Sequence, residues 1–254
     1  MADTLYFSRD TKVYIEVGSS VWEMPVLDGF SFSQATNASE ITLNLMSDSA
    51  GVSRRARQMF TDSFAPAEWS FSTYARPFVS TGAGAGAADD AVNHHAVEEV
   101  LWSMMVGDGA YAANAFTGIT PGLSSSVIDF DASNKVTLGT CNMYFVMGGA
   151  GGGTTTTYKI EGCCVNEAAL DFDIDGIAAI NWSGFGKIIT EATAPTATVY
   201  EAVSSTSNFI RNRLTNLSVT HAASSPFVAS YDLVLTGGNV TISNGITFLT
   251  PETL

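Results

Sequence analysis

The 254-residue sequence predicts a mainly β fold with one helix and long loops. Three observations lead there. Apolar residues alternate with polar ones over many short stretches, which is the spacing of a sheet with one buried face. The apolar fraction of 46% can fill a core in a chain of this length, which excludes disorder. Only one stretch, near residues 90–106, carries apolar residues at helical spacing.

Taken in order, the first 76 residues read as strands. Val13, Ile15 and Val17 alternate with polar neighbours, as do Ile41, Leu43 and Leu45, and then Trp69 and Phe71. Gly18-Ser19-Ser20 and Asp28-Gly29 read as turns. Between Met46 and Glu68 the alternation lapses, which predicts a long excursion from the sheet with a helical turn near Arg54–Phe60. After the flexible run Gly82-Ala83-Gly84-Ala85-Gly86, the residues Val92, Ala96, Val97, Val100, Leu101 and Met104 fit an amphipathic helix. Asp89 or Asp90 would cap it and Gly107 would end it. Strands return through 136–138, 143–147, 158–160, 168–174 and 177–182. A polar stretch near 191–208 reads as a linker. Two further strands lie around Gly237-Gly238 and Asn244-Gly245. The expected organisation is a main β domain over 1–190 and additional strands over 209–254. The latter are either decoration or the start of a second β unit.

Charge narrows the function classes. Only 14% of residues are charged, yet acids outnumber bases 25 to 11 and the net charge is −14. Sparse charge leaves wide neutral surfaces that suit packing against other subunits. The acidic excess argues against nucleic-acid affinity, which needs clustered Lys and Arg. No run of 18 apolar residues suggests a membrane span. Met1-Ala2-Asp3-Thr4 lacks the basic and apolar regions of a signal peptide, so the product is expected to begin in a cytoplasm. The Asn-X-Ser/Thr tripeptides at Asn37, Asn181, Asn216 and Asn239 are then chance. Cys141, Cys163 and Cys164 read as reduced, buried, small apolar residues, since neighbours on a strand cannot easily bond each other.

No motif demands a catalyst or a cofactor, and none is expected. Asp171-Phe172-Asp173-Ile174-Asp175-Gly176 matches the opening of a calcium loop, but Trp182 stands where a bidentate Glu belongs. The blander reading is a strand face with Phe172 and Ile174 inward and three aspartates outward. The Gly-rich run before the helix lacks a Walker lysine, and Asp89 and Asp90 would repel a pyrophosphate. His94 and His95 stand four residues before Glu98 and Glu99, which reads as a solvated helix face and not a metal site. There is no G-x-S-x-G elbow. Arg54, Arg55 and Arg57 are the exception in an acidic chain: they form a cluster that complements acids on a neighbouring copy, or a solvated loop.

Two longer phrases carry a resemblance. Trp22-Glu23-Met24-Pro25-Val26-Leu27-Asp28-Gly29-Phe30-Ser31-Phe32-Ser33-Gln34-Ala35-Thr36-Asn37 and Pro66-Ala67-Glu68-Trp69-Ser70-Phe71-Ser72-Thr73-Tyr74 resemble the N-terminal region of bacteriophage tail tube proteins. Ala96–Trp102 and Leu170–Gly186 are similar to them as well. The resemblance implies an antiparallel β-sandwich or small β-barrel with one flanking α-helix, and a long loop reaching an adjacent ring. It implies rings, hexameric or alternatively trimeric, stacked into a tube that conducts DNA as a non-adhering cargo. Tail initiator, terminator and sheath proteins are the implied partners, and the virion tail the implied location. Within that frame Arg54, Arg55 and Arg57 are candidates for the inter-ring contact, and Asp171, Asp173 and Asp175 for an acidic lumen. A different class, a β-sandwich binding module such as a virion decoration or receptor-binding protein, fits the same strands.

Overall fold

In the computed structural model, the described residues are 10–42, 57–79, 94–107, 111–112, 115–116, 119–120, 127–128, 138–149, 153–173, 175–198, 209–211, 216–220, 230–234 and 236–248. The elements in chain order are β1 (Lys12–Val17), β2 (Ser20–Met24), β3 (Ser31–Ser33), β4 (Thr36–Thr42), β5 (Arg57–Phe64), β6 (Ala67–Tyr74), β7 (Pro77–Val79), β8 (His94–Ala96) and helix α1 (Glu99–Val106). The short strands β9 (Tyr111–Ala112), β10 (Ala115–Phe116), β11 (Ile119–Thr120) and β12 (Val127–Ile128) follow. After them come β13 (Cys141–Gly149), β14 (Gly153–Asp173), β15 (Ala179–Gly186), β16 (Ile188–Glu191), β17 (Asn216–Thr220), β18 (Ser230–Val234) and β19 (Gly237–Ser243).

Nine strands form one antiparallel sheet in the order β2-β1-β13-β14-β15-β6-β3, with β16 and β19 also on β14. The 21-residue β14 makes this possible by serving two leaves. Its first half pairs with β13 and β16, and its second half pairs with β15 and β19. The change of leaf falls at Gly162, whose φ of 58° sits beside a register shift between β13 and β14. A positive-φ glycine at a bulge bends a strand at little steric cost. The two leaves then fold toward each other as a sandwich. Among the described residues the strand path is open and does not close into a barrel.

One apolar cluster fills the space between the leaves. Val13, Ile15, Trp22, Met143, Phe145 and Ile160 come from the first leaf, and Trp69, Phe71, Val165, Ile180 and Trp182 from the second. Period-two alternation is what sorts them: β6 buries Ala67, Trp69, Phe71 and Thr73, and turns Glu68, Ser70, Ser72 and Tyr74 outward. The Trp182 indole donates to the Thr73 hydroxyl at 2.9 Å, which satisfies its polar edge inside the core. Cys141, Cys163 and Cys164 are all buried and free of disulfide bonds.

The helix differs from the sequence expectation in two ways. It begins at Glu99, because His94–Ala96 pairs as a strand with β7. All eight of its residues are buried, so it is not the amphipathic surface helix that the spacing suggests. It packs on β14 and against β10, β11 and β12, and such all-round cover suits an apolar run like Val100-Leu101-Trp102. Its end is as expected: Gly107 takes φ 100° and its N–H bonds to the Ser103 carbonyl. The helical turn expected near Arg54–Phe60 is also corrected. From Arg57 onward the chain is strand β5, paired with β4 from Thr42↔Arg57 to Thr36↔Phe64. The excursion is a hairpin off the main sheet; residues 43–56 lie outside the described residues.

Candidate functional site

The outer face of the second leaf runs across β3, β6, β15, β14 and β19. Its residues follow from register. Ser31 stands opposite Ser70, which stands opposite Ser183, and Ser183 in turn faces Glu167 and then Ser243. One step along, Ser72, Asn181, Ala169 and Thr241 form the next row, and then Tyr74, Ala179, Asp171 and Asn239. Glu68 sits at one end of the face and Asp173 at the other. The acids on it are Glu68, Glu167, Asp171 and Asp173, and none of these outward residues is Lys or Arg.

A chain of hydrogen bonds crosses four strands of this face. The Ser72 hydroxyl donates to the Asn181 side-chain oxygen at 2.6 Å. The Asn181 amide donates to one Asp171 oxygen and the Asn239 amide to the other. The Thr241 hydroxyl completes the chain by donating to Asn239 at 2.7 Å. Charged acceptors make the stronger bonds of such a network, so Asp171 is its hub. At the near edge the Ser31 and Ser70 hydroxyls lie 2.8 Å apart.

The inner side of the same strands is tightly packed. Gly184 is the tightest point: a Cβ there would lie 2.0 Å from the Cys164 carbonyl oxygen and 2.6 Å from the Trp69 ring. The Trp69 indole donates to the Phe185 carbonyl at 3.3 Å across that gap. The leaf ends at β3 on one side and β19 on the other, and among the described residues neither has a second neighbouring strand. Val240 on β19 shares the inward side with Ile242 yet is half exposed, so the apolar layer is open at this edge.

The sequence-named residues fall unevenly on this geometry. Asp171 and Asp173 lie exposed on one side of β14, whereas Asp175 is in the turn beyond the strand, where the Gly176 N–H bonds to the Asp173 carbonyl. Among the described residues no cluster of three His, Cys, Asp or Glu is placed to hold a metal. Arg54 and Arg55 lie outside the described residues, and Arg57 opens β5, its side chain likewise undescribed. His95, Glu98 and Glu99, read as a solvated helix face, are instead almost wholly buried. Sequence reasoning missed Asn181, Asn239 and Ser72. Their only signal was polar alternation, which marks an outward position without saying which strand lies beside it.

The sequence was compared with known proteins, and no family model matches it. Tail tube protein pb6 of Escherichia phage T5 is 26% identical over 267 residues, an alignment that takes in 99% of this chain and 53% of that protein. The chain is thus similar in sequence to a phage tail tube protein. It spans about half the length of that relative. The relationship is to a structural protein and not to an enzyme. Among solved structures, the chain is similar to the tube-terminating cap of the anti-feeding prophage, with a TM-score of 0.39 at 10% identity over 76% of this chain and 95% of that one. The sheath/tube terminator of an extracellular contractile injection system in its extended state gives 0.39 at 7% identity, over 76% of this chain and 100% of that one. The sheath–tube complex of that system gives 0.38 at 7% identity, over 76% and 95%.

Proposed function

We propose that the chain is a structural virion protein that assembles with copies of itself into rings stacked as a phage tail tube, the conduit for DNA ejection into the host. The observation that carries this reading is a polar face without Lys or Arg among its outward residues, bounded by two strand edges that are open among the described residues, in a chain similar to a tail tube protein. An open edge displays unsatisfied N–H and C=O groups, and pairing with another copy satisfies them. In the proposed ring, β19 of one subunit extends the leaf to β3 of the next, hexameric or alternatively trimeric, and closure stops sideways growth. The polar face then lines the channel. Its acids repel phosphate, so DNA passes without adhering.

Axial stacking is assigned to the β4–β5 hairpin, with Arg54, Arg55 and Arg57 meeting acids on the neighbouring ring. Each exposed pair contributes only about 0–1 kcal/mol, and repetition around the ring multiplies it. Initiator, terminator and sheath proteins are the expected partners, with assembly in the host cytoplasm. The deciding experiment is negative-stain electron microscopy of the purified protein over a concentration series, with and without an assembly initiator. Tubes or stacked annuli with a central channel are expected, and their rotational symmetry gives the ring size. Globular particles under every condition would reject the tube reading.

A further inference from the structure

Four ionisable side chains meet inside the molecule, away from the polar face. Arg76 follows β6, His95 lies on β8, and Glu98 and Glu99 open the helix; their exposures are 9%, 2%, 3% and 2%. The His95 Nδ1 lies 3.1 Å from a Glu99 oxygen. The Val97 N–H donates to the Arg76 carbonyl at 3.3 Å, and the Leu101 and Trp102 amides reach the Glu98 carbonyl at 3.0 and 3.2 Å. The second Glu98 oxygen and the first Glu99 oxygen have no hydrogen-bond partner. These residues stand at the neck of the β7–β8 pair, where the chain leaves the second leaf and enters the helix.

Charge counting sets the behaviour of this neck. With Arg76 positive and both carboxylates ionised, a neutral imidazole leaves the buried group with one excess negative charge. One added proton makes it neutral. An uncompensated charge in the interior is costly, whereas a neutral, hydrogen-bonded set is tolerated. Among the described residues, β10, β11 and β12 contain no titratable residue and β8 adds His94. β14, which also packs on the helix, carries Cys163 and Cys164 as thiols that burial pushes up, Glu167, Asp171 and Asp173 on its outer face, and Lys159 paired with Glu161. The Asn244 amide bonds the Met105 carbonyl at 2.8 Å. We propose that Arg76, His95, Glu98 and Glu99 form a one-proton clasp that holds the helix and the β7–β8 neck closed, and that losing this proton opens the neck locally.

The direction follows from linkage. Burial pushes the Glu98 carboxyl up to about 7, against the opposing pull of backbone amides and the Arg76 guanidinium. A group raised in the closed state holds a proton that the open state releases. Closure is therefore strongest below the ordinary carboxylate range near 4.5 and weakens as pH rises toward 7. Binding one proton corresponds to an opening constant that climbs by up to about tenfold per pH unit in that window.

The test is amide hydrogen exchange on the full chain between pH 5.0 and 7.5, corrected for intrinsic rates. The Val97, Leu101 and Trp102 amides are expected to show the rising opening constant, while amides of the β1–β13 pair show none. Glu98→Gln leaves Arg76 and Glu99 balanced without a proton and is expected to abolish the slope. Glu99→Gln makes the same prediction by removing the other charge, so one failed fold does not end the test. A flat profile in the parent protein, an equal slope in the β1–β13 amides, or a slope retained in both variants would overturn the clasp.

Discussion

Gly184 and Asp171 show how differently two residues on opposite sides of one leaf depend on their surroundings. Gly184 has no space for a single added carbon, since backbone of β14 and the Trp69 ring occupy the position. Neither neighbour is the far end of a flexible chain. Gly184→Ala is expected to destabilise the fold by about 3 kcal/mol, a large value diagnostic of overpacking. Asp171 is exposed, and its two amide donors can turn to water when it is removed. Asp171→Ala should therefore lower stability by only about 1 kcal/mol. Urea denaturation of both variants measures the contrast, and equal midpoints would refute the packing argument.

At the scale of elements, the proposed assembly turns on β19. Residues 237–243 pair with β14 far from their sequence neighbours, and on the other side they face nothing among the described residues. Val240 is 50% exposed on the apolar side of that edge. Val240→Lys places a charge where the next subunit's apolar layer would continue, and charged inward residues are a known guard against edge pairing. Its effect on monomer stability should stay within about 0.5 kcal/mol, as for other exposed sites. Sedimentation velocity should show assembly needing at least about tenfold more protein, equivalent to about 1.4 kcal/mol per contact. Unchanged assembly would remove β19 from the interface.

For the whole molecule, the prediction concerns the sign of the field. The net charge is −14, and the outer face of the second leaf carries acids and no bases. Replacing Glu68, Glu167 and Asp173 with Lys makes bases outnumber acids on that face. The triple variant is expected to retard a DNA fragment at low salt, with retention that falls steeply as salt rises. The parent protein should show no retention. If the variant remains as indifferent to DNA as the parent, the face does not line a DNA path.

The sequence by itself determined the class of fold, the burial of Trp69 and Phe71, the end of the helix at Gly107 and the acidic, low-charge character. These are local properties: alternation of side chains, the left-handed freedom of one glycine, and counts of charged groups. Its phrases around Trp22–Phe32 and Pro66–Tyr74 also pointed to the right relatives. What the tertiary structure decided is everything that depends on which strand lies beside which. Period two says that Asn181 and Asn239 face outward, but the Asp171 hub exists only because β15 and β19 flank β14. One face of the expected helix, with His95, Glu98 and Glu99, likewise looked solvent-facing by spacing. The helix is buried because β10, β11, β12 and β14 pack on it, and no local pattern records such cover. Strand neighbours are chosen by the packing of the whole core, where distant residues compete for the same space.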